Sequence, residues 1–212
     1  MNRLVLNDWC DRGILLLTLG ILVFGPLAMG AVGGWEFLTI QGLTMGVLAL
    51  WAVKLWAHRK PQLLWPPLCW VVLAFTAYAV GRYFTADIEY VARQELFQVL
   101  VAAFLFFAIV NHLYRQETAQ IFSFTMIFLG MAIASVAVGQ FLAHSSRVWN
   151  LVSPYAGRGV GTYISPNNLA GFLEMLIPLA TAYILAGRIK PVTRILLGYA
   201  VLVMLAGLTV TF

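Results

Sequence analysis

The sequence predicts an all-α fold: a polytopic helical membrane bundle of about seven transmembrane helices, with its amino terminus in the cytoplasm. Three observations carry this expectation. Hydrophobic residues make up 62% of the chain, charged residues 10%, and mean hydropathy is +0.89, which is far outside the soluble range. The apolar residues fall into runs near the roughly 20 residues that cross about 30 Å of hydrocarbon as a helix. Runs such as VLVAAFLFFAIV lack the alternation a barrel strand needs, so their backbone polar groups are satisfied within helices.

In chain order the expected spans are Ile14 to Ala31, Phe37 to Ala57, Leu63 to Val80, Leu96 to Val110, Ile121 to Ala143, Leu169 to Ala186 and Ile195 to Phe212. Short polar connections join them into a single membrane domain over residues 1–212. Arg3, Arg12, Lys54, Arg59, Lys60, Arg115, Arg188, Lys190 and Arg194 occupy the amino terminus and every second connection. The alternate connections hold only Arg82, Arg93, Arg147 and Arg158. Basic loops stay cytoplasmic, so the connection around Arg158 is expected on the extracytoplasmic face. The net charge of +5 is the same bias seen as a total and gives no reason to expect nucleic acid as a partner.

The first span also fits a secretory leader, with a small-residue exit at Ala28-Met29-Gly30-Ala31, and either reading leaves the later topology unchanged. Cys10 and Cys69 fall at different depths, which argues against a disulfide. His58, His112 and His144 are isolated in sequence from cysteine or carboxylate clusters, so neither a metal site nor a cofactor is expected. Gly42 and Gly46 form a GxxxG pair, and Gly20, Gly25 and Gly30 lighten the first span, which suits close helix packing. Trp35, Trp51, Trp56, Trp65, Trp70 and Trp149 read as interfacial anchors.

Two extracytoplasmic connections are polar. In GRYFTADIEYVARQELFQ, Asp87 reads as the N-cap of an interfacial lead-in to the fourth span, with Ile88, Val91, Ala92 and Leu96 on one face. Arg82 and Arg93 there read as headgroup-facing or solvated, with substrate contact as the alternative.

The second polar connection reads GRGVGTYISPNNLAGFLEML from Gly157 to Leu176. Ser165 suits an N-cap and Pro166 the first helical position, so the sixth helix should begin at this interface. Free N–H groups at that end favour an anion, to which Arg158 would add a bidentate contact, while Gly157, Gly159 and Gly161 let backbone approach a ligand. Asn167, Gly171, Glu174 and Pro178 share one helix face. An ionisable residue at the depth of Glu174 normally faces a cavity or partner, and Pro178 predicts a kink. The competing reading is architecture alone: a capped helix, an interfacial arginine and a glutamate paired inside the bundle.

Within this stretch Arg158, Gly161, Thr162, Tyr163, Pro166, Asn167, Leu169 and Ala170 fit a pattern of Arg, a short gap, Gly-Thr-aromatic, Pro-Asn and Leu-Ala before an apolar helix. The segment resembles the signature of the O-antigen ligase and Wzy polymerase-like superfamily of bacterial oligosaccharyl transferases. TADIEYVARQELFQVLVAAFLFFAIVN looks like these proteins less specifically. The resemblance covers about twenty-five residues well and implies that residues from about 120 to 212 begin the ligase-like core.

It also implies a multi-pass enzyme of the bacterial cytoplasmic (inner) membrane, active on the outer face. Such an enzyme moves a glycan from a polyprenyl diphosphate carrier to an acceptor hydroxyl on a glycan, lipid or protein, in lipopolysaccharide O-antigen or exopolysaccharide synthesis. Its partners would be the bilayer, the lipid-linked glycan and the acceptor. Arg158 is the expected catalytic cation that holds the departing diphosphate. Arg147, Gly161, Thr162, Asn167, Asn168 and Glu174 are the expected substrate-binding residues.

The chain departs from the family in lacking a visible base, and His144 stands in the wrong context for one. The family typically continues after a position equivalent to Phe212 with Ser-Arg-Gly and a large loop containing a histidine. The sequence therefore reads as an amino-terminal portion, possessing the recognisable loop but not the whole machinery. The alternatives from other classes are a non-catalytic membrane subunit and a polysaccharide transporter or flippase component. Oligomeric state, sugar and acceptor are not encoded in any recognisable motif.

Overall fold

The computed structural model describes residues 3–57, 63–112, 115–145, 147–155, 157–187 and 189–212. Arg59, Lys60 and Arg188, which enter the orientation argument, and His58, considered as a metal ligand, lie outside the described residues. Among the described residues there are seven helices and one small hairpin: α1 (Arg3–Leu27), α2 (Gly34–Ala57), α3 (Leu68–Phe84), α4 (Glu89–His112), α5 (Gln116–Leu142), β1 (Arg147–Val148), β2 (Leu151–Val152), α6 (Pro166–Ala186) and α7 (Pro191–Thr209).

Six of these helices are long and apolar enough to cross a membrane, which is the make-up of a helical membrane bundle. The exception is α3, whose 17 residues rise only about 26 Å. The sequence places this span from Leu63, but Pro66 and Pro67 delay the helix to Leu68, because proline supplies no N–H and disfavours helical backbone before it.

Two further helix ends differ from expectation, while α6 begins at Pro166 after Ser165 as expected. α1 ends at Leu27, and Met29, Gly30 and Ala31 all take left-handed backbone (φ 56°, 75° and 56°), so Gly30 belongs to a turn rather than to the first span. α4 begins at Glu89, with Ala92 N–H donating to the Ile88 carbonyl, so Asp87 is not its N-cap. Ser165 has the extended backbone of an N-cap before α6, yet its hydroxyl makes no cap bond; its carbonyl instead accepts from Asn168 and Leu169. α6 runs unbroken through Pro178.

The chain divides into two compact units. Unit 1 comprises residues 1–21 and 38–118. Its core is Ile14 and Ile21 from α1, Val47 from α2 and Ala108 from α4, with α3 packed on α4. Of the GxxxG pair, Gly46 meets α1, since a Cβ there would lie 3.2 Å from Leu17, whereas Gly42 faces open space. Unit 2 comprises residues 22–37 and 119–212. There α6 packs on α7, and both bury apolar residues against α5: Ile127, Ile133, Ala134 and Ala137 meet Leu169, Leu173, Leu176, Leu197, Ala200 and Met204. At Gly207 a Cβ would lie 2.6 Å from the Ala134 side chain, so α5 and α7 touch almost backbone to backbone.

Candidate functional site: the Arg158 loop of unit 2

The connection between α5 and α6 is held from below by one side chain. Gln140, near the end of α5, donates through Nε2 to the carbonyls of Gly161 (2.8 Å) and Arg147 (2.9 Å), and its Oε1 accepts from the amides of Gly161 (2.8 Å) and Val160 (3.2 Å). One amide thereby satisfies four backbone groups and joins the β1–β2 hairpin to the Arg158 loop. The chain must come close for this to happen. A Cβ at Gly161 (φ 61°) would lie 2.8 Å from Ile133, and one at Gly159 would lie 2.7 Å from the Ala137 carbonyl oxygen.

The loop is pinned on two further sides. The Gly159 amide donates to the Val210 carbonyl at 2.8 Å, just past the end of α7. Thr162, buried, donates its hydroxyl to the Pro26 carbonyl at 2.6 Å, and the Trp149 indole N–H donates to the Leu27 carbonyl at 3.1 Å. Tyr163 bridges to Met29 and packs its ring against Gly30, where a Cβ would sit 3.0 Å away. These contacts hold the strained Met29–Ala31 turn, whose two left-handed non-glycine residues cost about 1–2 kcal/mol each. Burial pushes the Tyr163 phenol above its ordinary range, so it stays neutral.

Arg158 sits on this frame. Its Nε donates to the Thr211 carbonyl at 2.7 Å, Nη2 donates to the same oxygen, and Nη2 also reaches Asn167 Oδ1 at 3.3 Å. The guanidinium carbon lies 5.9 Å from the Tyr155 ring centroid. Every acceptor is neutral, so the charge is oriented but not cancelled, and Nη1 keeps its donors. The negative end of α7 lies on one side of the group and the positive end of α6, where Asn167 is the first residue with an amide hydrogen, on the other.

Of the residues singled out in sequence, Arg158 and Asn167 meet directly, while Arg147 and Gly161 are joined through Gln140. The Arg147 side chain is exposed on the hairpin and Asn168 is exposed on the first turn of α6. Glu174 stands apart from this frame. With Asn167 and Pro178 it lies on the exposed face of α6, opposite Leu169, Leu173 and Leu176, and it forms no hydrogen bond or ion pair among the described residues.

Gln140 and the Thr211 carbonyl had no sequence signal beyond a lone amide in an apolar run, which alone is reason to look for a partner. Unit 1 corrects an expectation: His112 is not isolated, because Asp11 lies 3.4 Å from its Nδ1. No family model, curated protein or solved structure matches the chain.

Proposed function

We propose that this chain spans a bacterial cytoplasmic membrane with the Arg158 loop on the extracytoplasmic face. There it holds the diphosphate of a polyprenyl-linked glycan during transfer of the glycan to an acceptor hydroxyl. One observation carries the reading: a guanidinium fixed by neutral oxygens alone, beside the amino-terminal end of α6. A cation whose charge is already neutralised would offer a phosphate little, whereas Arg158 retains both charge and free donors.

In the transfer step the hydroxyl oxygen of the acceptor attacks the anomeric carbon, the carbon–oxygen bond to the diphosphate breaks, and the hydroxyl proton passes to water or to the departing diphosphate. The departing oxygen gains negative charge that Arg158 and the first free amides of α6 stabilise. Glu174, Asn168 and Arg147 are the exposed polar groups that would meet the rest of the donor or the acceptor.

The test is binding in nanodiscs of a polyprenyl diphosphate glycan against the corresponding monophosphate. Saturable binding with a preference of about tenfold or more for the diphosphate supports the reading. Equal affinity for the two lipids overturns it.

A further inference from the structure

Unit 1 builds a second polar site where α1, α2 and α4 bring together Asp11, Lys54 and His112. Lys54 Nζ donates to Asp11 Oδ1 at 2.5 Å and lies 3.2 Å from His112 Nδ1. The His112 Nδ1 faces both the Lys54 ammonium and, at 3.4 Å, the Asp11 carboxylate, so its role as acceptor or donor follows the tautomer. The His112 side chain is 5% exposed, stands edge-on to Trp51, and its Nε2 has no partner among the described residues.

A cavity of about 330 Å³ opens beside this cluster, and Asp8, Arg12, Arg115 and Thr118 also line it. Neither Arg12 nor Arg115 forms a hydrogen bond or ion pair among the described residues. The balance of groups is one-sided. Lys54 is committed to Asp11, Asp8 offsets one of the two guanidiniums, and the N–H donors of both arginines outnumber the acceptors left in the wall. A complementary ligand therefore brings oxygen acceptors and about one negative charge.

We propose that this cavity binds a phosphate group carrying a single negative charge, with Arg12 and Arg115 as its direct contacts and the Asp11–Lys54–His112 cluster as the floor that fixes the helices around it. Asp8 sets the charge preference, because a second negative charge on the ligand would face its carboxylate. The phosphate comes from a lipid headgroup or from a free phosphate ion. The site lies entirely in unit 1 and does not depend on the transfer reaction.

The test uses the full chain with Arg158→Ala, which removes the anion site of unit 2. Inorganic phosphate is titrated calorimetrically into detergent-solubilised protein at constant ionic strength. In parallel, lipid retention is measured by native mass spectrometry from nanodiscs of phosphatidylglycerol or phosphatidylcholine. Saturable binding of phosphate identifies a free ion, and selective retention of phosphatidylglycerol without it identifies a headgroup. In either case Arg12→Ala with Arg115→Ala is expected to weaken binding at least tenfold, and Asp8→Asn to tighten it. All three positions are exposed, so the variants should fold, which thermal unfolding checks. Binding by neither probe, or binding that these substitutions leave unchanged, overturns the proposal.

Discussion

Arg158 donates through Nε to the carbonyl oxygen of Thr211 at 2.7 Å, 53 positions along the chain. The bond ties the α5–α6 connection to the end of α7 and points a guanidinium beside the start of α6 without neutralising it.

Gln140→Leu removes its four hydrogen bonds to the backbone and leaves the amides of Val160 and Gly161 without a partner. A loss of about 2 kcal/mol or more is expected, since each buried unsatisfied group costs roughly 1–3 kcal/mol. Hydrogen exchange read by mass spectrometry should accelerate in peptides covering Val160 and Gly161 while those from the middle of α7 stay protected. Unchanged exchange in the loop would remove Gln140 from its role.

The two glycines flanking Arg158 should respond differently. Gly157 is left-handed (φ 78°) with open space around it, so Gly157→Ala carries only the backbone cost of about 1–2 kcal/mol. Gly159→Ala drives a methyl to 2.7 Å from both the Ala137 carbonyl oxygen and Val210, so overpacking of about 1–3 kcal/mol adds to displacement of the Gly159–Val210 hydrogen bond. Thermal unfolding should therefore show the loop losing its hold on α7 in the second variant and not in the first.

Asn167 tests whether the free charge of Arg158 matters. Asn167→Ala removes a 3.3 Å contact and should weaken binding of a polyprenyl diphosphate only a few-fold. Asn167→Asp places a carboxylate against the guanidinium and should weaken binding by about tenfold, although the fold gains an ion pair. An aspartate variant that binds as well as wild type would contradict an anion site.

Topology is checked by single cysteines at exposed positions. Arg147→Cys is expected to react with a membrane-impermeant maleimide on intact bacterial spheroplasts, and Arg115→Cys only after permeabilisation. The native Cys10 and Cys69 are buried, so background labelling should be low. The reverse pattern would put the Arg158 loop in the cytoplasm.

The helices were legible because each apolar run carries its own length signal, and the start of the third helix moves to Leu68 where Pro66 and Pro67 intervene. The site was legible where chemistry is local: Arg158, Asn167 and the glycines fall within one short stretch. It was not legible where a partner lies far along the chain. Gln140 reaches Gly161 across 21 residues, and His112 meets Lys54 across 58. Neither separation leaves a periodic trace. The Asn167–Glu174–Pro178 face was read correctly as one face of a helix, but periodicity does not say which way a face turns, and the larger apolar face took the core of unit 2.

The central claim is tested most directly by the dissociation constant for a polyprenyl diphosphate glycan, measured in one nanodisc composition for wild type, Arg158→Lys and Arg158→Ala. The account predicts about 10- to 100-fold weaker binding for alanine, with lysine between the two because it restores the charge but not the fork. Three equal constants would contradict it.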